Sequence, residues 1–526
     1  MVTTAALEIN GSNNKSNIRL WESATFGELS GDGGNFTGDN SWFTINQDTD
    51  TTFAGQLLDV NSARELGLIK NGSGRLTLSG QNSYELATTV NDTGTLEVSG
   101  RIGETASITV GSDAAFELTG SGSLGSGGVY NGGESGSGNI VNNGTFEYNS
   151  TTDQTLSGII SGTGDLIKTN TSTLTLTGAN NYSGTTDILG GTLEIGGAGQ
   201  LNSGTYAGAI TNDGTLKYNS SAAQTLSGII SGTGVLVKDN TSTLHLDGRS
   251  TYSGGTTVND GILSFDSSPR SQIGAGPLTV NGGLFSASLE NVSVSALSGT
   301  GGTIEVYRRA LTVNQSANTT YAGIIQNING GSVDGNGTVF TKTGAGTLTL
   351  TGVNTYTKVT NLNGGTLLVD GALYGGVVTV ESIVNVISTA TLGGSGSIGG
   401  AVTVNSGGHI APGSGSIDTL TISGGLTLND GAVLDFEADA SSCDKIDITG
   451  GTFTGAASAN GVTVNVTISG GLSDQVSYTL MEWVADSGVD IADFNLVCSG
   501  GDASLSIDGS TLVLNAGPGG SLFKFR

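Results

Sequence analysis

Along most of this chain apolar and polar residues alternate in short runs broken by glycine. In "GTLTLTGVNTYTKVTNLNGGTLLV" (346–369) the alternation starts, stops at a glycine and resumes. A period of two sends Leu to one side and Thr to the other, as in a half-buried strand. A helix requires spacings of three and four and tolerates dense Gly and β-branched residues poorly. The pattern therefore predicts short strands throughout, with Gly and Asn at the corners between them.

The strands recur as a larger unit. "QTLSGIISGTG" stands unchanged at 154–164 and 224–234, and the segment 142–195 around it returns in altered form as 212–265. Weaker copies occupy 43–98 and 311–369. In the four copies Lys70, Lys168, Lys238 and Lys342 each precede a tyrosine (Tyr84, Tyr182, Tyr252, Tyr356) by 14 residues. Gly80, Gly178, Gly248 and Gly352 stand four residues before those tyrosines, and Asn46, Asn149, Asn219 and Asn314 lie near the starts. The tyrosines read as core or corner aromatics, the lysines as solvated strand ends, and the asparagines as a short internal ladder of stacked amides.

Within each copy an apolar pair recurs at a nearly fixed offset: Leu76/Leu78 with Leu96/Val98, Leu174/Leu176 with Leu193/Ile195, Leu244/Leu246 with Leu263/Phe265, Leu348/Leu350 with Leu367/Val369. Such a period predicts an all-β solenoid, a parallel β-helix of about 19–20 residues per coil, because no coil can bury its apolar face alone. Exposed solenoid ends require caps. The predicted organisation is a cap region at 1–42, repeat-bearing coils over 43–369, and further coils with a second cap over 370–526. The final "SLFKFR" reads as an added strand, a docking tail or a scar.

Composition narrows the picture. Gly is 90 of 526 residues and Pro only 4, which excludes collagen. Apolar residues make up 35% and charged residues 12%, so the charge-rich recipe for disorder is not met either. A net charge of −27 repels phosphate backbones and anionic lipid, so nucleic acid is excluded as a partner. No apolar run is long enough to span a membrane as a helix. The start "MVTTAALEIN" has no basic-then-apolar leader pattern, which points to a removed leader or another export route. Cys443 and Cys498 fit one disulfide; the alternative is two buried free thiols.

Candidate chemistry is sparse. Parallel β-helices host polysaccharide lyases and hydrolases, which need carboxylates converging from adjacent coils. Here His245 replaces an outward threonine and His409 falls at an expected turn, and neither has an evident partner in the sequence. The stretches 30–40 and 332–338 gather Asp and Asn near Gly without following a calcium-loop pattern. No catalytic, cofactor or metal residue is assigned, and the protein is expected not to be an enzyme; the alternative is a carbohydrate-active enzyme on this scaffold.

"GTGDLIKTNTSTLTLTGANNYSGTTDILGGTLEI" (162–195) and its relatives resemble the passenger-associated strand repeats of bacterial autotransporters, and 407–437 resembles the segment that often follows them. The resemblance covers about 43–440. It implies a right-handed parallel β-helix at the bacterial surface or outside the cell, with a structural or adhesive role. The expected partners are a glycan or other cell-surface ligand, and further copies of the chain in an oligomer or fibre. Autotransporters end in an outer-membrane barrel of alternating strands, and residues 516–526 do not read as one, so the expectation is an excised passenger or a secreted protein that uses the same repeats.

Overall fold

The structure, a computed structural model, describes residues 5–10, 17–61, 64–103, 107–125, 138–265, 273–287, 291–306, 309–327, 337–374, 382–413, 415–459, 461–470, 472 and 476–517, and the backbone of Val129–Tyr130. Two compact units divide the chain. The first is Met1–Thr256 with Gly261–Leu263 and Ser271–Gly274; the second is Thr257–Asp260, Ser264–Arg270 and Ala275–Arg526. The division falls inside the expected 43–369 segment. "SLFKFR" and most of 332–338 lie outside the described residues.

In the first unit, Asn139–Asn142, Thr145–Ser150 and Gln154–Leu156 follow one another around a coil and each joins a different sheet. Ile160–Ser161, Asp165–Lys168 and Thr173–Leu176 then repeat the circuit, each pairing in parallel with its counterpart one coil earlier. The second unit is built likewise: Val339–Thr343, Thr347–Leu350 and Val353–Asn354 are followed in parallel by Thr360–Leu362, Gly365–Val369 and Ala372–Leu373. Among the described residues there is no α-helix, only two 3-10 turns at Asn202–Gly204 and Ile491–Asp493. The all-β parallel solenoid expected from the alternation is the observed fold.

The register follows the apolar period. Leu76 lies against Leu96, Leu174 against Leu193, and Leu348 against Leu367. Coils lengthen where loops are inserted, so that Ser41 pairs with Leu66, and Ala115 meets its next partner only at the more distant Thr145. Inward residues stack in columns. Leu76, Leu96, Phe116, Phe146 and Leu166 are consecutive in one sheet and all fully buried, with the two phenylalanine rings stacked at 5.6 Å. No coil could bury these residues without its neighbours, which is why the pattern has to repeat.

The two ends differ. The described part of 1–42 is already solenoid: Ala24–Phe26 pairs in parallel with Ser41–Asn46, and Phe36 stacks on Phe43 at 4.0 Å. Near the other end the direction reverses. Thr511–Ala516 runs antiparallel to both Ser477–Trp483 and Ala503–Asp508, covering the last coil strand of its sheet, where Met481 and Trp483 are buried.

The disulfide reading is corrected. Cys443 and Cys498 are both free. Cys443 folds back in an antiparallel bridge to Ala438 and its thiol donates to the Thr479 carbonyl at 3.3 Å, whereas Cys498 pairs with Val466 on the following strand. Val433–Ala438 and Val462–Ile468 lie between them, and three strand spacings, about 14 Å, exceed the reach of a disulfide.

Candidate functional site

The recurrent residues of the repeat face inward. Tyr84, Tyr182, Tyr252 and Tyr356 are all 0% exposed. Each hydroxyl meets a threonine four residues on, at 2.7, 2.8, 2.6 and 2.6 Å for Thr88, Thr186, Thr256 and Thr360. The reading as core aromatics holds, and the threonine partner was an unread part of the motif. Gly80, Gly178, Gly248 and Gly352 are required by crowding: a Cβ there would lie 2.9, 2.8, 2.7 and 2.9 Å from the carbonyl carbon of a glycine on the preceding coil.

The lysines overturn the expectation of a solvated edge. Lys70, Lys168, Lys238 and Lys342 are 0% exposed. Their ammonium groups donate to backbone carbonyls at the coil corner: Asn71 (2.7 Å), Gly72 (3.1 Å) and Gln47 (3.4 Å) for Lys70; Thr169, Asn170 (2.9 Å) and Gly190 (3.3 Å) for Lys168. Lys238 donates to Asp239 and Asn240, both at 2.6 Å; Lys342 to Thr343, Gly344 and Gly364 at 2.9, 3.0 and 3.2 Å. Burial pushes the ammonium of Lys70, Lys168 and Lys342 down to about 8. These groups are therefore charged at neutral pH and present three donors each.

In the first unit the motif changes face from copy to copy. Lys70 lies in the sheet that runs from Ala24–Phe26 to Ile160–Ser161, and Lys168 in the one from Thr51–Phe53 to Ile230–Ser231. Lys238 lies in a third, beside Thr215–Ser220. No outer face collects the repeats into an array, which argues against the motif as a binding surface.

Two outward features do form continuous surfaces, both in the first unit. The first is a groove of about 690 Å³ along four successive coil corners, lined by Asn46, Asp48, Asn71, Asn91, Asp92 and Asp113 among others. Its amides form a ladder: Asn91 donates to Asn71 at 2.9 Å, and Asn71 to Asn46 at 2.8 Å. Of the four recurrent asparagines expected to stack inside, Asn46 alone joins this ladder, which lies on the outside and is completed by Asn71 and Asn91; Asn219 instead donates to Glu194 at 2.8 Å. Backbone N–H groups pin the carboxylates, Ser73 donating to Asp48 and Gly72 to Asp92, both at 2.9 Å. The Ser73 hydrogen bonds hold Asp48 below its usual range.

The second feature is a row of carboxylates on strands that begin just past that groove. Glu97, Glu117 and Glu147 are in register on successive coils. Arg75 pairs with Glu97 (3.0 Å) and Glu117, and Thr119 and Thr77 donate to Glu97 at 2.6 and 3.1 Å. Burial alone raises Glu97, but these partners outweigh it and leave it lowered; Glu147 is raised by burial and by Glu117. Glu97 and Glu117 are thus already engaged by one arginine rather than poised as acid and base. Sequence reasoning missed both surfaces. The row was signalled by Glu between apolar residues in "TLEV", "AFEL" and "TFEY".

The remaining candidates have partners that the sequence did not reveal. His245 lies 2.9 Å from Asp247, and His409, at the start of the strand His409–Pro412, lies 2.6 Å from Asp435, which also accepts from Asn465 at 2.7 Å. In the 30–40 stretch Asp39 pairs with Arg19 and Arg64, each at 3.1 Å. Among the described residues no group of three or more His, Cys, Asp or Glu is arranged to hold a metal, and no helix is long and apolar enough to cross a membrane.

The passenger-associated-transport-repeat family model matches at 68–98, 166–195, 236–265 and 340–369, the four lysine–tyrosine segments. The chain is also similar to the adhesin BmaC autotransporter of Brucella suis biovar 1 (strain 1330). The two are 35% identical over 349 residues, which cover 57% of this chain and 10% of the adhesin. The chain thus spans about a tenth of that relative's length. With coils, register and buried motif in agreement, the chain is a parallel β-helix in which four segments match the passenger-associated-transport-repeat model.

Proposed function

We propose that this protein is a passenger-type adhesin, displayed on or released from a bacterial surface, that contacts a polyhydroxylated surface ligand, a glycan, along the Asn/Asp groove. The similarity to a stretch of an autotransporter adhesin supports the surface role. The groove carries the ligand class: its amides and carboxylates offer donors and acceptors at successive coil corners, about 4.8 Å apart, close to the length of one sugar unit. The pinned carboxylates keep their geometry before a ligand arrives, which lowers the ordering cost of binding.

Binding of the purified chain to immobilised polysaccharides tests this reading. The expected result is retention on at least one glycan surface, reduced at least tenfold by Asn71→Ala with Asp92→Ala. Retention that this double variant leaves unchanged would remove the groove from the proposal. Incubation of the same glycans with the protein tests the carbohydrate-active enzyme reading; no new reducing or unsaturated ends are expected. Assembly into oligomers or fibres is a finer reading. It is supported by Phe494–Ser499, the last strand of its sheet among the described residues, with Val497 51% exposed. Sedimentation over a concentration series decides it.

A further inference from the structure

The repeat's most regular feature is one that the adhesive role does not use. In all four copies the buried lysine ends a strand and is followed, two residues on, by a residue in the left-handed region: Gly72 (φ 81°), Asn170 (59°), Asn240 (64°) and Gly344 (76°). That conformation is open to Gly and Asn at small cost. It turns the carbonyls of the next two residues back toward the ammonium that has just passed them. A third carbonyl comes from another coil: Gln47 for Lys70, Gly190 for Lys168 and Gly364 for Lys342. In these three copies three donors therefore meet three acceptors, and the acceptors belong to two coils.

We infer that this lysine is a built-in cation clip, an ammonium that fastens one coil to its neighbour at the corner and so fixes which coils open last. A polar side chain merely tolerated in the core would not need the same left-handed residue at the same offset four times. Nor would it reach across to the adjacent coil from strands on three different sheets. The space beside it is kept free as well: a Cβ at Gly94 or Gly261 would fall 2.8 Å from the nitrogen of Lys70 or Lys238. The short sequence form is Lys, any residue, then Gly or Asn: "KNG", "KTN", "KDN" and "KTG". The inference concerns coil stability only and stands or falls independently of any ligand.

Hydrogen exchange of the full chain, followed by mass spectrometry, tests it with Lys168→Met. Methionine fills a similar volume but supplies no donor. Amides over 165–195 are expected to exchange at least tenfold faster, while 340–369, with Lys342 intact, keeps the wild-type rate. Wild-type exchange throughout the variant would show that filling the space is enough and would overturn the inference. Equal acceleration in both segments would show that the lysine does not act locally and would overturn it too. Should Lys168→Met fail to fold, Lys342→Met in the second unit carries the same test, with 165–195 as its control.

Discussion

Replacing Gly178 by alanine separates two reasons a β-helix needs glycine. The new Cβ would lie 2.8 Å from the carbonyl carbon of Gly158 and 3.0 Å from the Ser157 oxygen, with the Gly158 oxygen closer still. All three are backbone atoms of the preceding coil, which is tied by the ladder that joins Gln154–Leu156 to Thr173–Leu176. They cannot swing away as a side chain would, so the corner has to open or the two coils have to part. Overpacking against movable neighbours costs about 1–3 kcal/mol; against a fixed ladder the upper end, about 3 kcal/mol, is expected. Gly120 is the control. Nothing lies within 4 Å of its added Cβ, but its φ is +57°, so Gly120→Ala meets only the left-handed penalty of about 1–2 kcal/mol. Urea unfolding of the two variants gives the comparison. Because solenoids open coil by coil, amide exchange over 154–182 locates the damage. Gly178→Ala should be the less stable variant, with faster exchange confined to those coils. If it is no less stable than Gly120→Ala, coil-to-coil crowding is not what holds glycine at the four equivalent positions.

Other perturbations follow from the same geometry. Tyr182→Phe removes a hydroxyl bonded to Thr186, which also meets Tyr206 at 2.8 Å; a loss of about 1 kcal/mol in urea unfolding is expected. Asp59 is raised to about 7 by burial, with Glu85 and Glu65 adding to the shift, and one of its oxygens is buried without a partner. A raised folded value means the acid form is favoured on folding, so its contribution is complete below about pH 4 and lost as the pH climbs through 7. Asp59→Asn should therefore unfold later than wild type above pH 7, by about 1–2 kcal/mol after allowance for partial exposure, and match it near pH 4. With both cysteines free, reduced and air-exposed samples should melt at the same temperature, and a thiol reagent should count two groups in the denatured chain.

How much of this could be read beforehand depended on where each residue's partners lie. Leu76 facing Leu96 was legible because both partners belong to one side-chain period. Tyr182 was legible as core because a large aromatic between short strands has few other places to go. Lys168 was misread because lysine usually seeks water, and its partners here are backbone carbonyls that no side-chain pattern displays. Only the Asn or Gly two residues on carries a trace of them. The Asn46–Asn71–Asn91 ladder depends on two coils of unequal length lining up their corners, a register that a single nominal period cannot supply. For the cysteines, the sequence offered a count and no geometry, and the sheet register decided against a bond.

The matching segments 142–195 and 212–265 keep one constant offset along their whole length. Within that offset the chain passes Leu166, Thr186, Ile210 and Ile230, which stack in register over three coils, and then takes one further strand to Val235–Lys238. The copied length is thus three turns and one side rather than a whole number of turns. A duplication of that kind survives only if the three sides are interchangeable inside, so that a strand moved by a third of a turn still finds a column to join. It also means that the outward residues of the two copies point in different directions. Copying lengthens such a protein without widening any surface it presents, and each recognition surface has to be drawn from unlike neighbours, as the groove from Asn46 to Asp113 is.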